Sequence, residues 1–282
     1  MNSLKIQDPV DPVLYEMLSA VAEVCTSMQL EFFVGGAMAR DILIRHVYGQ
    51  DLGRATRDVD IGLYIKEWSV FGQLKTQLIS TGKFVEAPGA SQRLIFKPNT
   101  PLDLIPFGGV ADASGQISWP PEHEIVLNVV GFEEAFTEAL PVDIGNGLVI
   151  RTCSMPSLVA LKLIAWGDRH HQTNKDAVDF FRIVELYGEP LNTDRLYEHE
   201  LPLLTACDFD LQKAGAILLG KDTVKVCRPG AISVITALKQ DQQLMLLLQD
   251  QITRTTAGSF LGEENKSEAL VDAFFKGFSA GP

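Results

Sequence analysis

Asp58 and Asp60 stand one residue apart in the run Thr56-Arg57-Asp58-Val59-Asp60-Ile61-Gly62-Leu63, a stretch that otherwise reads as a buried strand. Side chains on a strand alternate faces with period two, so both carboxylates point to the same side. Two like charges held a few ångströms apart repel each other and are costly to bury. A divalent ion between them relieves both costs, and a hard ion such as Mg²⁺ takes carboxylate oxygens together with substrate phosphates. The pair therefore reads as a site for catalytic magnesium. A third acid, Asp103, lies among Leu102, Leu104 and Ile105 on another apolar strand.

Upstream, Glu31-Phe32-Phe33-Val34 reads as a short strand running into Gly35-Gly36, with a helix from Ala37 to Tyr48 closed by Gly49. Glycines let a phosphate approach the backbone, and the first N–H groups of a helix point at it. Arg40 follows the glycine pair by one helical turn and is placed to meet a triphosphate or an RNA end, or to pair with one of the chain's many acids. Arg45, Arg54 and Arg57 cluster around the same motifs. Arg57, between Thr56 and Asp58, is expected to point away from the aspartates.

Several elements must position these groups. Val13, Leu14, Met17, Leu18, Val21 and Val24 recur at helical spacing over residues 11–30. A helix over 68–80 ends at Gly82, and strands over 92–97 and 102–107 form a hairpin around Pro98-Asn99-Thr100-Pro101. Further short strands fall within 125–153, with a turn at Gly145-Asn146-Gly147. Near residue 154 the texture changes. Met155-Pro156-Ser157 opens a helix to about Arg169, with Lys162, Trp166 and Arg169 on one face. After a polar break, a second helix runs from Lys175 to Tyr187, and Asp176 in its first turn suits the helix dipole. Residues 194–205, 210–219, 229–252 and 264–278 also read as helical. Adjacent histidines diverge on a regular backbone, so His170-His171 is not read as a metal site.

These elements describe an α+β protein. A mixed β-sheet flanked by helices occupies residues 1–153, and a helical domain occupies 154–282, with the active site expected in the cleft between them. The net charge of −12 counts against a general nucleic-acid coat but permits a local basic patch. No apolar run reaches the roughly 18–20 residues needed to span a bilayer. The polar, proline-broken start has no signal-peptide pattern. A cytosolic location and no membrane partner are expected. Cys25, Cys153, Cys207 and Cys227 lie far apart, without metal-ligand spacing, and read as reduced thiols packed as small hydrophobes.

The order Gly35-Gly36, Asp58-x-Asp60, Asp103 resembles the nucleotidyltransferase superfamily. Arg54-x-Thr56-x-Asp58-x-Asp60 is similar to a motif of the AbiEii-like nucleotidyltransferases, the toxins of type IV toxin–antitoxin systems. Gly35-Gly36-Ala37-Met38-Ala39-Arg40 looks like that family's opening glycine motif. Leu161 to Trp166, then Arg169, then Lys175-Asp176-Ala177-Val178-Asp179-Phe180, resemble its later motifs, so the matches span residues 35–180. Two features depart from the simplest pattern. The gap from Gly36 to Asp58 is longer than in compact members of the superfamily, and Gly36-x-x-x-Arg40-Asp41 also resembles the head domain of CCA-adding enzymes.

The resemblance implies two Mg²⁺ ions held by Asp58, Asp60 and Asp103, with Asp103 as base or metal-assisted activator of an acceptor hydroxyl. It places Gly35, Gly36, Arg40 and Thr56 at the nucleotide, Lys162 on its phosphates, and Asp176 as the group that helps orient it. The implied reaction moves a nucleoside monophosphate from an NTP to an acceptor and releases pyrophosphate. A tRNA 3′ end or a protein fits the toxin resemblance, as does a cognate antitoxin partner. A small molecule such as an aminoglycoside fits the acidic balance, and a catalytically silent nucleotide-binding module is the third possibility.

Overall fold

The computed structural model describes residues 3–50, 56–120, 123–256 and 263–280. The chain forms two compact units, Met1–Ser154 and Met155–Pro282.

In the first unit a short strand β1 (Leu4–Lys5) precedes helix α1 (Pro12–Ser27). Asp11 caps that helix, its carboxylate accepting from the Val13 N–H at 2.8 Å, and Pro12 occupies the first turn, where its missing donor costs nothing. Leu14, Met17, Leu18, Val21 and Val24 are buried, as their spacing requires, while Val13 stays exposed. Strand β2 (Phe32–Gly35) leads into α2 (Gly36–Asp41), which passes straight into a π-helical turn, Ile42–Val47. The single α-helix expected here is thus part α and part π. Ile42, Leu43, Ile44 and Val47 are all buried, so burial of an apolar run decides this segment more than regular periodicity does.

Strand β3 (Val59–Tyr64), helix α3 (Trp68–Ser80), and strands β4 (Phe84–Glu86), β5 (Arg93–Phe96) and β6 (Thr100–Phe107) follow. Strands β7 (Gln116–Ser118) and β8 (Val126–Asn128) pair only with each other. Helix α4 (Phe132–Thr137) and strands β9 (Leu140–Asp143) and β10 (Val149–Thr152) complete the unit. The large sheet has the order β1-β9-β10-β2-β3-β6-β5-β4. It is mixed: β1–β9, β10–β2 and β3–β6 are parallel, and the other neighbours are antiparallel. A parallel pair cannot be joined by a tight turn, and α3 with the β4–β5 excursion supplies the crossover from β3 to β6.

On the central strands Val59, Ile61, Leu63, Leu102 and Leu104 are buried and form one side of the core. The opposite face carries an aromatic cluster. Phe33 lies 5.9 Å from Phe107 and 6.0 Å from Phe132, centroid to centroid, and Phe107 lies 5.6 Å from Phe136. Helix α4, which the sequence reading passed over, supplies two of these rings.

The second unit is helical throughout its described residues: α5 (Met155–Arg169), α6 (Lys175–Leu186), α7 (Thr193–Glu198), α8 (Leu201–Ala206), α9 (Leu211–Val226), α10 (Pro229–Gln240), α11 (Gln242–Thr256) and α12 (Glu263–Ser279). The helix expected over 229–252 is divided at Asp241, whose carboxylate accepts from the N–H groups of Gln243 and Leu244 and so starts a new helix. The one expected over 194–205 is likewise two short helices, and α9 runs on past residue 219 to Val226. Helices α9 and α12 touch backbone to backbone, because a Cβ on Gly220 would overlap the Phe274 carbonyl. Buried Asp222 receives Arg195 through two contacts of 2.6 and 2.9 Å and the Tyr187 hydroxyl at 2.8 Å, which ties α7 and the end of α6 to α9.

Cys25, Cys153 and Cys207 are free thiols. Burial pushes Cys25 up to about 12 and raises Cys153 as well, which leaves both unreactive. Among the described residues no helix is long and apolar enough to cross a membrane.

Candidate active site

The sheet register sets the geometry of the site. On β3, Asp60 pairs with Gly35 of β2 on one side and with Asp103 of β6 on the other. Asp103 pairs in turn with Arg93 of β5. Residues directly opposite one another across a sheet present their side chains to the same face. Gly35, Asp60, Asp103 and Arg93 therefore form one row across four adjacent strands. Asp58 immediately precedes β3, is exposed, and donates its N–H to Thr56 Oγ1 at 3.3 Å.

Of the glycine pair, only Gly36 is sterically required. Its φ is +59°, and a Cβ there would run into the Asp60 carboxylate. A Cβ on Gly35 would make an ordinary 3.5 Å contact with the Phe33 ring. Gly36→Ala is expected to cost about 1–3 kcal/mol of stability through the left-handed backbone and the clash. It also swings the Asp60 carboxylate aside, so transfer falls by about 10–100-fold, since small misplacements at a reacting centre cost that much. Urea unfolding and initial rates of pyrophosphate release check the two effects separately.

Asp103 is engaged. Arg93 Nε donates to Oδ1 and Nη2 to Oδ2, both at 2.7 Å, a planar two-point pair. The bond to Asp103 holds the Arg93 guanidinium above its ordinary pKa; burial opposes it, and the charges of Asp103, Asp58 and Asp60 add to it. All three carboxylates thus act on one cation. Among the described residues no group of three acids, histidines or cysteines is arranged to hold a metal ion. The structure brings Asp60 and Asp103 side by side, with Asp58 just before the same strand, and adds Arg93. The sequence reading missed Arg93: a turn over residues 98–101 would set Phe96 opposite Asp103, whereas Thr100 and Pro101 already belong to β6 and the shorter turn brings Arg93 there instead.

Arg40 and Thr56 serve as scaffolding in this structure. The Arg40 guanidinium is buried against Asp41, with Nε at 3.0 Å and Nη2 at 2.7 Å from Oδ1. Asp41 Oδ2 accepts the Thr56 backbone N–H at 2.9 Å, and Thr56 Oγ1 accepts from Asp58. The chain Arg40–Asp41–Thr56–Asp58 pins the approach to β3 onto α2. Asp41 is its hub; in the sequence it stands out only as the last residue of the Gly36-x-x-x-Arg40-Asp41 run. Arg54 lies outside the described residues.

In the helical unit, Lys162 and Asp176 are partners. Lys162 Nζ is 3.1 Å from Asp176 and 2.6 Å from Asp179, and Arg169 grips Asp176 at 2.6 and 2.9 Å. Asp176 is 1% exposed. Burial acts to raise its pKa, but Arg169 and Lys162 outweigh it and hold the carboxyl below its usual range. The helix face expected to carry Lys162, Trp166 and Arg169 together is divided. Trp166 is buried and donates to Gln251 at 2.9 Å, while the two basic residues turn to Asp176. His170 bonds to the Gly167 carbonyl at 3.0 Å.

Three solved structures share something of this architecture. The solution structure of the antibiotic-resistance factor ANT(2'')-Ia matches at 11% identity and a TM-score of 0.38, over 71% of this chain and 97% of that one. A crystal structure of ANT(2'')-Ia in complex with adenylyl-2''-tobramycin matches at 14% and 0.37, over 69% and 95%. An antigenic nucleotidyltransferase-like protein from Paracoccidioides brasiliensis matches at 17% and 0.42, over 73% and 94%. Likeness at this level carries no functional argument. No curated protein matches the sequence. The family model described as nucleotidyl transferase AbiEii toxin, type IV TA system, matches residues 24–272, taking in nearly the whole of both units. The chain belongs to the AbiEii family and is a nucleotidyltransferase.

Proposed function

We propose that this enzyme transfers a nucleoside monophosphate from an NTP to the 3′ end of tRNA, as a toxin restrained by a cognate antitoxin. The observation that carries the catalytic part is the row formed by Asp60, Asp103 and the glycine end of β2, with Gly36 leaving no space for a side chain against Asp60. The donor set suits Mg²⁺. Asp60 and Asp103, side by side in the row, and Asp58 just before β3 would supply hard carboxylate oxygens. Mg²⁺ held there would neutralise triphosphate charge and polarise the phosphorus under attack. The acceptor oxygen forms a bond to the α-phosphorus, the bond to the β-phosphate oxygen breaks, and pyrophosphate leaves. Asp103 receives the hydroxyl proton. Lys162 binds nucleotide phosphate, with Asp176 and Asp179 orienting its ammonium group. Arg40 and Thr56 act by placing Asp58. NTPs and tRNA meet in the cytoplasm, which is where the enzyme would work.

The test incubates the protein with each labelled NTP, Mg²⁺ and one of total tRNA, cell protein or an aminoglycoside. Label on tRNA is expected. Label on protein or on the aminoglycoside, with none on RNA, overturns the acceptor. Absence of NTP binding by calorimetry in the presence of Mg²⁺ would point to a catalytically silent interaction module that keeps the fold.

A further inference from the structure

Arg93 is the residue whose position is least explained by the reaction as proposed. It is 35% exposed at its side chain, yet it commits its whole guanidinium edge to Asp103, which is 16% exposed. The backbone beneath the pair is fixed, because the neighbouring Leu94 and Leu102 are opposite one another and fully buried. The guanidinium itself is on a long flexible stem and can leave Asp103 without any change in the sheet. Both Asp103 oxygens retain lone pairs, but an ion bound to them would stand beside a cation of the same sign.

We propose that Arg93 is a positioning residue that holds Asp103 in the metal-free enzyme and competes with the divalent ion for it. This rests on the reading of Asp58, Asp60 and Asp103 as the metal-binding acids. Arg93 keeps Asp103 aligned in the row while the site is empty of metal, and it sets the concentration of Mg²⁺ at which Asp103 is recruited. Lysine would supply the same charge without the planar fork, so the two features can be separated.

The experiment measures binding of Mg²⁺ alone by calorimetry, without nucleotide, to the wild type, Arg93→Gln, Arg93→Lys and Arg93→Gln/Asp103→Asn. It also follows the Arg93 Nε–H resonance by NMR during the titration, and circular dichroism and thermal unfolding confirm that each variant is folded. Arg93→Gln is expected to tighten Mg²⁺ binding by about three- to tenfold, the range for losing a partly exposed two-point ion pair. Arg93→Lys falls between it and the wild type, Asp103→Asn in the Arg93→Gln background reverses the gain, and the Arg93 resonance moves as the pair opens. Unchanged or weaker binding in Arg93→Gln, or an Arg93 resonance indifferent to saturating Mg²⁺, overturns the competition. Asp58→Asn/Asp60→Asn serves as the control. If that variant binds Mg²⁺ as tightly as the wild type, the metal reading itself fails; if it loses binding while Arg93→Gln does not tighten it, only the competition fails.

Discussion

Asp60→Asn is expected to lower nucleotidyl transfer by at least about 10²–10³-fold, the scale for losing one electrostatic group aimed at a charged transition state. The change is nearly isosteric, so the contact with Gly36 and the pairing with Gly35 and Asp103 persist. What disappears is one negative charge at the centre of the row. Because that charge lies beside Asp103 and within reach of Asp58, folding stability should be unchanged or slightly higher. Rates of pyrophosphate release report the first effect and thermal unfolding the second. Substantial transfer by a folded Asp60→Asn enzyme would show that the magnesium assignment is wrong.

Asp176→Asn is expected to destabilise the helical unit by about 2–3 kcal/mol. Breaking a buried ion pair by removing one partner costs about 3–5 kcal/mol. The figure is reduced because Arg169 is 48% exposed and Lys162 keeps Asp179. The effect depends on pH with a definite sign. The Asp176 carboxyl lies below its ordinary value of 3.8 in the folded protein, so its contribution is fully present above the unfolded carboxylate range. That contribution is lost as pH falls below 3.8. Wild type and variant should therefore converge in stability on acidification. Urea unfolding at neutral pH and at successively lower pH measures the gap. A gap that stays constant would mean that Asp176 owes nothing to Lys162 and Arg169. Under the proposed phosphate role of Lys162, loosening it is also expected to raise KM for NTP more than it lowers kcat, since such a contact binds ground state and transition state alike.

The parts of this site that depend on local pattern were legible in the chain. Asp58 and Asp60 announce themselves because two acids in a strand are conspicuous, and Gly35-Gly36 because a strand ends there and a helix begins. The hairpin carrying Asp103 was framed by its proline-rich turn, although its cross-strand partner was not read from it. Lys162 and Asp176 were singled out by their order in a family pattern, and their mutual contact was invisible because it joins two helices across a polar break. Arg40 had two readings, a phosphate or one of the chain's acids. An arginine one turn after a glycine pair suits phosphate, but the acid next to it in sequence holds it. Asp222 and Arg93 went unnoticed for a common reason. An isolated charged residue in a sequence looks like surface until its partner is known, and for Asp222 those partners are 27 and 35 residues away.

The row Gly35–Asp60–Asp103–Arg93 has a bearing on how this enzyme comes to exist at all. Its members come from four strands whose order in space differs from their order along the chain. Slipping any one strand by a single residue sends its contribution to the far side of the sheet. Such a slip would also bury a charge among Leu102, Leu104 and Ile61. Assembly of the centre and correct threading of the sheet are consequently a single event. A refolded sample should contain either competent molecules or inert ones, with few of intermediate activity, and its specific activity counts the correctly threaded fraction.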